Sequence, residues 1–551
     1  MSITMPAMLP TGDELGPNTP ASRRERAYQL RKQTAGYYKA SALPLYLNNG
    51  DEARYMDKNY YASFTKGLPH DSNGEALPAA YEALRAALES GQPRDFERVP
   101  LGSAANPKAG RLLLVDPQAG LAFDLEGADP QHVTLPPCYA FRSAGEIGEI
   151  AENYWMALCR DVPFAAYDTD ATIQAAAHDL SAYAQFDGPK ERVGTTPRVT
   201  PRSLFRGLPG DVVGPYLSQF MIRPIPYGAQ QIPQQIRYGL PAQDFLTAEA
   251  DWLAVQRGIA PAGPAIVPLA PSDIHIIRSG RDLGQYVHID ELFQAYLNAC
   301  LLLITPPGRG GFGAPLDDGN PYVASQTQTG FGTLGEPNFK TLVAEVATRA
   351  LKAVWFQKWY VHRRLRPEAF GGRLHFHFAH GRDYEFHAAE LAKLQAGPLA
   401  RVHAAHGSWL LPMAFPEGCP VHPAYGAGHA TVAGACVTVL KALFREEATL
   451  VGDLGIQPLT PDATGTALVP YTGADAARMT VGGELNKLAS NVGVARNFAG
   501  VHWRSDYTAS LRLGEEIALY FLQDTLRCYN EDVSCSVTRF DGTTGTLQKA
   551  F

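Results

Sequence analysis

Apolar residues recur every three or four positions over long parts of this chain, which is the spacing of an amphipathic α-helix. The segments that predict helices are 23–35, 77–91, 146–159, 170–186, 283–304, 338–365, 481–496 and 507–524. A further apolar helix follows the turn Gly426-Ala427-Gly428-His429. Residues 111–127 instead alternate and contain turn residues, so they predict a short β-hairpin. The pattern therefore predicts a mainly α fold with minor short β-hairpins.

The length of 551 residues suits two or three ordinary domains or one large helical one. Residues 1–22 are rich in Pro, Gly and Thr and predict an arm, and 187–243 reads as a long ordered connector. We place a boundary near residue 270. Residues 1–270 form an N-terminal helical region with arm and connector, and 271–551 form a helical-bundle region, packed together as one compact unit.

Composition excludes several classes of protein. The net charge of −7 does not indicate a nucleic-acid surface. No run approaches 18 apolar residues, so no membrane span is predicted, and the N-terminus lacks the basic and apolar regions of a signal peptide. We expect a reducing, cytoplasmic setting by default, although Cys528 and Cys535 flank a polar turn and could form a disulfide.

A lysine falls on the apolar face of the helix predicted at 338–365. Val354 belongs to the apolar stripe, and the next position on that stripe is Lys358. A buried ammonium group is costly without a counter-charge, although a side chain that extends to solvent would avoid that cost. Arg366 adds a second cation eight residues later, and Trp355 lies one turn before Lys358. These residues predict a pocket with positive charge.

The helix predicted at 481–496 repeats the anomaly. Its apolar stripe includes Val492 and continues to Arg496, and His502 follows six residues later. Ser505 or Asp506 could cap the next helix, or Asp506 could orient His502 through a hydrogen bond. We leave these two roles of Asp506 open.

The turn before the apolar helix supplies a third group. A helix start offers free N–H groups and the positive end of the helix dipole, and Gly428 and His429 lie at this start. Three cations, a helix start and two histidines suit a tetrahedral oxyanion such as phosphate or vanadate. One histidine could then attack phosphorus or coordinate vanadium, while the other acts as acid or base.

These motifs resemble the signature shared by vanadium-dependent haloperoxidases and the type 2 phosphatidic acid phosphatase superfamily. The motifs are Lys358-x7-Arg366-Pro367, Gly428-His429 and Arg496-x5-His502-x3-Asp506. The spacing of seven, and His422 seven residues before His429, resemble the algal and bacterial bromoperoxidases.

The resemblance implies two four-helix bundles packed with additional helices, in a homo-oligomer between dimer and dodecamer. It implies vanadate with His502 as the metal ligand, held by Lys358, Arg366, Arg496 and the Gly428 amide. His429 would be the acid–base residue, Lys358 would assist catalysis, and Trp355 and His422 would line the halide pocket. The implied reaction consumes hydrogen peroxide and oxidises bromide or iodide to a hypohalous-acid-level species, which halogenates small organic acceptors.

The chain departs from the family at Ala427, where a serine is usual. One hydroxyl contact to the vanadate would be missing. A charge-assisted hydrogen bond contributes at most about 1.5–3 kcal/mol, so we expect weaker vanadate binding or an altered rate and not a loss of function.

Four alternatives remain open. The chain could be an acid phosphatase with a phosphohistidine at His502, or a non-enzymatic phosphate-binding oligomer. His375-x-His377-x2-His380 could bind Zn²⁺ or Cu²⁺, although a cluster without metal is the stronger interpretation. Asp317-Asp318-Gly319-Asn320 could bind structural Ca²⁺ or form a solvated turn.

Overall fold

The computed structural model describes residues 19–208, 210–261 and 269–548. Helices dominate the fold, and strands occur as small antiparallel pairs, which confirms the predicted fold class. The helices are Pro20–Ala40 (α1), Asp51–Arg54 (α2), Pro78–Ser90 (α3), Pro93–Phe96 (α4), Ala144–Cys159 (α5), Ala171–Leu180 (α6), Gln219–Ile222 (α7), Glu249–Gln256 (α8), Gly280–Tyr286 (α9), Gln294–Ile304 (α10), Glu336–Phe356 (α11), Pro367–His380 (α12), Ala388–Leu394 (α13), Ala400–His406 (α14), Gly428–Leu443 (α15), Val481–Phe498 (α16) and Arg504–Cys528 (α17).

Each strand pairs with one other strand. The pairs are Glu191–Val193 with Thr196–Arg198 (β1, β2), Ile225–Tyr227 with Gln230–Ile232 (β3, β4), Ile236–Gly239 with Leu269–His275 (β5, β6), Leu459–Pro461 with Leu468–Pro470 (β7, β8) and Ser534–Thr538 with Thr544–Gln548 (β9, β10). In the last pair Thr538 lies opposite Thr544 and Ser534 opposite Gln548. Several of these strands pack against helices, including β5 on α9, β9 on α15 and β10 on α17.

A four-helix bundle of α11, α15, α16 and α17 forms the centre of the C-terminal region. Helix α15 is buried on almost every side, and two glycines let it approach α17 closely. A Cβ atom at Gly434 would lie 2.0 Å from the carbonyl oxygen of Leu511, and one at Gly514 would lie 1.9 Å from that of Thr431. The absence of side chains at these positions therefore brings the two helix backbones together.

Helix α5 joins the N-terminal region to this bundle. It packs against α6, α12, α13 and α16. Ser143 caps it through a hydrogen bond to the Glu146 N–H, and Glu146, Glu149 and Glu152 follow at three-residue spacing and are all buried. The hydrophobic core is continuous from Tyr55 to Phe540, so both regions contribute to one core.

The hairpin predicted at 111–127 is wrong. This segment contains a short 3₁₀ turn at Ala119–Leu121 and only an isolated bridge from Arg111 to Ile259. It lies across α11, where the carbonyl group of Val115 accepts a hydrogen bond from Trp355 Nε1 at 3.2 Å. The alternation therefore reflects an extended segment whose sides face a helix and solvent.

The single helix predicted at 283–304 is also wrong, because α9 ends at Tyr286 and α10 begins at Gln294. The linker between them makes tertiary contacts to α15 and α16, which are described below. The predicted helix at 23–35 exists as α1, but none of its residues is buried. The disulfide that Cys528 and Cys535 could have formed is absent, since both are free thiols.

The helix predicted at 170–186 ends early, at Leu180, and the remaining helix predictions agree with the structure within a few residues at their ends. Within the described ranges, no helix combines the length and apolar character needed to cross a membrane. The arm predicted at 1–22 lies almost wholly outside the described residues.

Candidate oxyanion site

Lys358 points into the protein and not toward solvent. Helix α11 continues into a wider π turn at Gln357–His362, and Lys358 is fully buried there. Its Nζ lies 2.9 Å from Nδ1 of His422 and 4.3 Å from the centre of the Trp355 ring. Burial, with repulsion from Arg366, lowers the Lys358 pKa well below its usual value. The extended, solvated alternative for this lysine is therefore wrong.

The chain turns back after the π turn because Arg363 adopts a left-handed conformation with φ of 41°. A non-glycine residue in this region costs about 1–3 kcal/mol, so surrounding contacts must hold it. The Arg363 guanidinium pairs with the half-buried carboxylate of Glu52, and the Arg363 carbonyl accepts from the Phe64 N–H at 2.9 Å. The reversal directs Arg366 toward the pocket that contains Lys358.

Arg366 links the two histidines of the pocket. Its Nη1 donates to Nε2 of His502 at 2.9 Å and to the Val501 carbonyl at 2.7 Å. Its Nη2 donates to Nδ1 of His422 at 2.8 Å. Burial lowers the pKa of this arginine to about 10. Since Lys358 and Arg366 both donate to the same nitrogen of His422, that nitrogen carries no proton.

Arg496 reaches the same region from α16. Its Nη1 donates to the carbonyl of Val287 at 2.8 Å, and its guanidinium lies 5.7 Å from the centre of the Phe415 ring. Its Nε is buried without a partner among the described residues. Within the described ranges, none of the cations Lys358, Arg366 and Arg496 has a carboxylate within 4.0 Å. Three buried basic side chains thus share one pocket without a salt bridge, although Asp290 lies near enough to Arg496 for each to shift the pKa of the other.

His502 is oriented by Asp506. The Asp506 carboxylate accepts from His502 Nδ1 at 2.8 Å and from the Trp503 N–H at 3.0 Å, so it both caps α17 and orients the histidine. Ser505 does not cap the helix but donates to Glu149 at 2.9 Å. With Nδ1 donating to Asp506 and Nε2 accepting from Arg366, the lone pair of Nε2 faces the pocket. Burial, followed by repulsion from Arg366, lowers the His502 pKa well below its usual value.

His429 lies at the start of α15 and is the more accessible of the two motif histidines, with 21% of its side chain exposed. Its Nε2 lies 3.0 Å from Oδ1 of Asp290. Burial alone would raise the pKa of Asp290, but His429 and then Arg496 outweigh it, so that pKa is lowered. The ionised Asp290 therefore holds His429 at the mouth of the pocket.

The helix start itself remains available as a donor. Ala427 occupies the N-cap without a side-chain cap, so the first N–H groups of α15 have no such acceptor. A Cβ atom at Gly428 would lie 3.0 Å from the Trp355 ring, which places this backbone beside the Lys358 pocket. The ring of Trp355 also lies 4.9 Å from that of His422. Trp355 therefore lies beside both the helix start at Gly428 and the ring of His422.

This donor set fits an oxyanion. Lys358, Arg366, Arg496 and a helix start would neutralise the charge of vanadate or phosphate, and the unprotonated Nε2 of His502 could bind its central atom in place of the hydrogen bond that it accepts from Arg366. The orphaned Nε of Arg496 offers a further donor. The residues present therefore fit the group that the resemblance implies, apart from the missing hydroxyl at Ala427.

Relatives of known activity cover almost the whole chain. A vanadium-dependent bromoperoxidase of Corallina pilulifera is 37% identical over 90% of this chain and 94% of its own length. One from Ascophyllum nodosum is 32% identical over 96% and 92%. The chain belongs to the vanadium-dependent bromoperoxidase family. The family described as the VCPO second helical-bundle domain also matches residues 342–531.

A solved structure supports the same bromoperoxidase assignment. The homohexameric structure of the second vanadate-dependent bromoperoxidase from Ascophyllum nodosum superposes with a TM-score of 0.88 at 30% identity. It covers 99% of this chain and 95% of its own. The likeness thus includes the N-terminal half, which carries none of the sequence motifs.

Sequence analysis missed the residues that hold the bromoperoxidase motifs in place. Asp290 and Val287 come from the linker between α9 and α10, and Phe415 comes from a loop before the Gly428-His429 motif. One signal was available, since Asp290 and Glu291 are the two acidic residues in the helix predicted at 283–304. Arg364 and its partners on α5 had no such signal.

The histidine cluster at 375–380 is not a complete metal site of the kind considered above. His375 and His380 both direct Nε2 to Glu249, at 3.0 and 2.7 Å, whereas His377 bonds to the Arg382 carbonyl. The three side chains Glu249, His375 and His380 could in principle bind a metal ion. However, the Trp409 N–H donates to Nδ1 of His375, which places the proton on Nε2 and favours the hydrogen-bonded arrangement.

The acidic loop at 317–320 is a hydrogen-bonded turn. Asp317 accepts from the Gly319 N–H at 2.8 Å and from the Ser536 N–H at 3.3 Å, while Asn320 accepts from the Tyr322 N–H at 3.0 Å. These backbone donors occupy the oxygens that Ca²⁺ would require. The geometry favours the turn over structural calcium.

Proposed function

We propose that this protein is a vanadium-dependent haloperoxidase that uses hydrogen peroxide to oxidise bromide or iodide to a hypohalous-acid-level species. That species then halogenates small organic acceptors. The observation that supports this most directly is the group of three buried basic side chains without salt bridges beside a histidine whose unprotonated Nε2 faces them. The near-full-length likeness to bromoperoxidases supports the same conclusion.

Each motif residue has a distinct role in this proposal. His502 Nε2 is the metal ligand, and Lys358, Arg366, Arg496 and the Gly428 N–H donate hydrogen bonds to the oxygens of vanadate. When bound, vanadate supplies the Lewis acidity that activates peroxide toward halide. Among these residues, Lys358 also stabilises the negative charge that develops as the halide is oxidised.

In this proposal His429 is the acid–base residue that transfers the proton of hydrogen peroxide. With 21% of its side chain exposed, it lies at the mouth of the pocket, where it meets peroxide that enters from solvent. Asp290 accepts a hydrogen bond from its Nε2 at 3.0 Å and fixes the orientation of the ring, as a carboxylate does for a catalytic histidine. His429 can therefore accept a proton from peroxide and return it to the departing oxygen.

Trp355 and His422 form the halide pocket in this proposal. The indole ring lies against the Lys358 ammonium group, and the imidazole is fixed by Lys358 and Arg366. A polarisable aromatic wall beside a cationic group suits a large halide such as bromide or iodide.

Reconstitution tests the proposed function. Apoprotein is incubated with orthovanadate, and bromination of monochlorodimedone is followed with peroxide and bromide. We expect activity that depends on vanadate and is lost in Lys358→Ala and His429→Ala. Hydrolysis of p-nitrophenyl phosphate that vanadate inhibits, without halogenation at any vanadate concentration, would instead establish the acid phosphatase. Anion binding without either activity would leave the phosphate-binding oligomer.

We also propose that the protein is a homo-oligomer. The Ascophyllum nodosum structure is a homohexamer, and α1 of this chain has no buried residue. Apolar side chains near the end of α1 and on the segment across α11 are exposed, including Leu45 at 76%, Phe123 at 85% and Leu125 at 98%. A second copy would cover them. Light scattering after size-exclusion chromatography tests this, and a monomer at micromolar concentration would refute it.

The division of labour between the two regions is a further part of the proposal. We propose that residues 271–551 carry the whole vanadate-binding set. In this division residues 1–270 cover that region and supply α5 as a support for it.

A further inference from the structure

The two oxygens of the Asp506 carboxylate accept hydrogen bonds from different partners. One oxygen, Oδ2, accepts from His502 Nδ1 at 2.8 Å and from the Trp503 N–H at 3.0 Å. The other oxygen, Oδ1, accepts from Nη1 of Arg364 at 2.9 Å. Asp506 is fully buried, so water does not stand in for Arg364. Loss of Arg364 would leave a buried oxygen unpaired and would let the carboxylate turn away from His502.

Arg364 is itself fixed from several sides. Its Nη1 also donates to Ser505 at 2.8 Å, and its Nη2 donates to Glu149 at 2.8 Å and to Glu146. Its guanidinium lies 4.6 Å from the centre of the Trp503 ring. All of these carboxylates are buried, and burial raises the pKa values of both glutamates. Helix α5 thereby fixes Arg364, which is linked to His502 by two successive hydrogen bonds through Asp506.

We propose that Arg364 is a positioning residue for the vanadate ligand: anchored on Glu146 and Glu149, it keeps Asp506 oriented so that His502 presents a free Nε2 to vanadium. The proposal rests on the function proposed above, because it takes His502 as the ligand. A histidine binds a metal only through an unprotonated nitrogen, and the hydrogen bond at the other nitrogen selects which one is free. Arg364 makes no hydrogen bond to His502 in the described structure, so it acts through Asp506.

A purely structural role for Arg364 is the competing interpretation, and the chain offers a matched control. Arg504 is equally buried at the start of α17 and pairs with Glu152, the next glutamate on the same face of α5. Its other bonds go to the Arg206 carbonyl at 2.8 Å and to the Tyr507 hydroxyl at 3.1 Å. Arg504 therefore ties the same two helices together without touching Asp506.

Titration of apoprotein with orthovanadate, followed by calorimetry, compares Arg364→Gln with Arg504→Gln. Loss of a partner that orients a metal-bound histidine weakens metal binding by about 10–100-fold. We expect a loss of that size in Arg364→Gln and a change of less than about threefold in Arg504→Gln. Thermal unfolding of both apoproteins shows whether they are comparably folded. Equal weakening in the two variants, or none in Arg364→Gln, would overturn the proposal.

Two further measurements keep the test decisive. Asp506→Asn removes the link, so adding Arg364→Gln to it should cause no further loss of vanadate affinity, and additive losses would overturn the proposal. If Arg364→Gln does not fold, Arg364→Lys is used, because a lysine keeps the charge but cannot span Asp506 and both glutamates. It should bind vanadate more weakly than wild type, and unchanged binding would overturn the proposal.

The outcomes also separate this inference from the proposed function. Wild-type apoprotein that does not bind orthovanadate overturns both. Tight binding by wild type and by Arg364→Gln alike overturns only the positioning role and leaves the proposed function intact.

Discussion

Anion binding should draw a proton onto Lys358. In the apoprotein this lysine is fully buried, has no carboxylate partner in the described structure and faces Arg366, so its pKa is lowered well below its usual value. A dianion among the same donors would add attraction in place of repulsion, and the pKa would rise again. The bound state therefore holds more protons than the free state at any pH between the two pKa values.

The sign and size of the effect follow from linkage. Because binding raises the pKa, affinity is greatest below the lower pKa and falls as the pH rises toward the higher one. One titrating group takes up at most about one proton, so affinity falls by at most about tenfold per pH unit, or about 1.4 kcal/mol. The pKa values of His422 and His502 are also lowered, so the total uptake can exceed the share of Lys358.

Sulfate is a suitable probe because it stays a dianion through neutral and alkaline pH. Calorimetric titration of apoprotein in two buffers of different ionisation enthalpy gives the number of protons taken up. We expect about one proton fewer in Lys358→Met than in wild type. Lys352→Met is the control, since Lys352 lies one and a half turns earlier on α11, is partly exposed and pairs with Asp124.

The result that would refute this reasoning is specific. If wild type binds sulfate with the same affinity from about pH 6 to pH 9 and takes up no proton, Lys358 is already charged in the empty pocket. Burial without a counter-charge would then not govern its state. A loss of uptake in Lys352→Met would equally show that the effect does not come from the pocket.

Three further predictions concern other parts of the site and fold. Ala427→Ser should raise vanadate affinity by up to about tenfold by restoring a hydroxyl at the N-cap, and calorimetry showing no gain would mean that the hydroxyl does not reach the anion. Asp290→Asn removes the charge beside His429, so halogenation should slow by about 100-fold while vanadate affinity changes less than about threefold; equal losses in both would contradict an acid–base role. Gly514→Ala places a Cβ atom 1.9 Å from a carbonyl of α15 and should lower the free energy of unfolding in urea by about 1–3 kcal/mol or more, whereas Gly36→Ala meets nothing within 4 Å and should not destabilise.

Helical periodicity was enough to place the inward cations. Lys358 and Arg496 each continue an apolar stripe, and both are buried in the structure. The pattern could not show that the turn containing Lys358 is a π turn, which accommodates one residue more than an α turn. The π turn ends at His362, so most of it lies between Lys358 and Arg366 and adds to the spacing of these two residues.

Non-local contacts explain what periodicity could not predict. The run at 283–304 is apolar enough for one helix, yet Val287 and Asp290 bond to residues some 140 to 210 positions away along the chain. Those contacts lie where the helix is interrupted, and their partners are too distant along the chain for periodicity to reveal them. The segment at 111–127 failed for the same reason, since alternation shows that two faces differ without showing whether the neighbour is a strand or a helix.

The distribution of charge around His502 explains why so costly a pocket persists. On one side lie the unpaired cations Lys358, Arg366 and Arg496, and on the other the carboxylates of Glu146, Glu149 and Asp506 share a single arginine. The fold could have paired these cations with these acids, and doing so would have reduced the repulsion in the empty protein. Because the cations and the acids are kept apart, the cations remain available to an anion. The acids lie on the Nδ1 side of His502 and polarise its ring from there. The repulsion that destabilises the empty pocket is relieved on binding, so the anion that fits this pocket should also raise the protein's resistance to unfolding, by RT ln(1 + [L]/Kd).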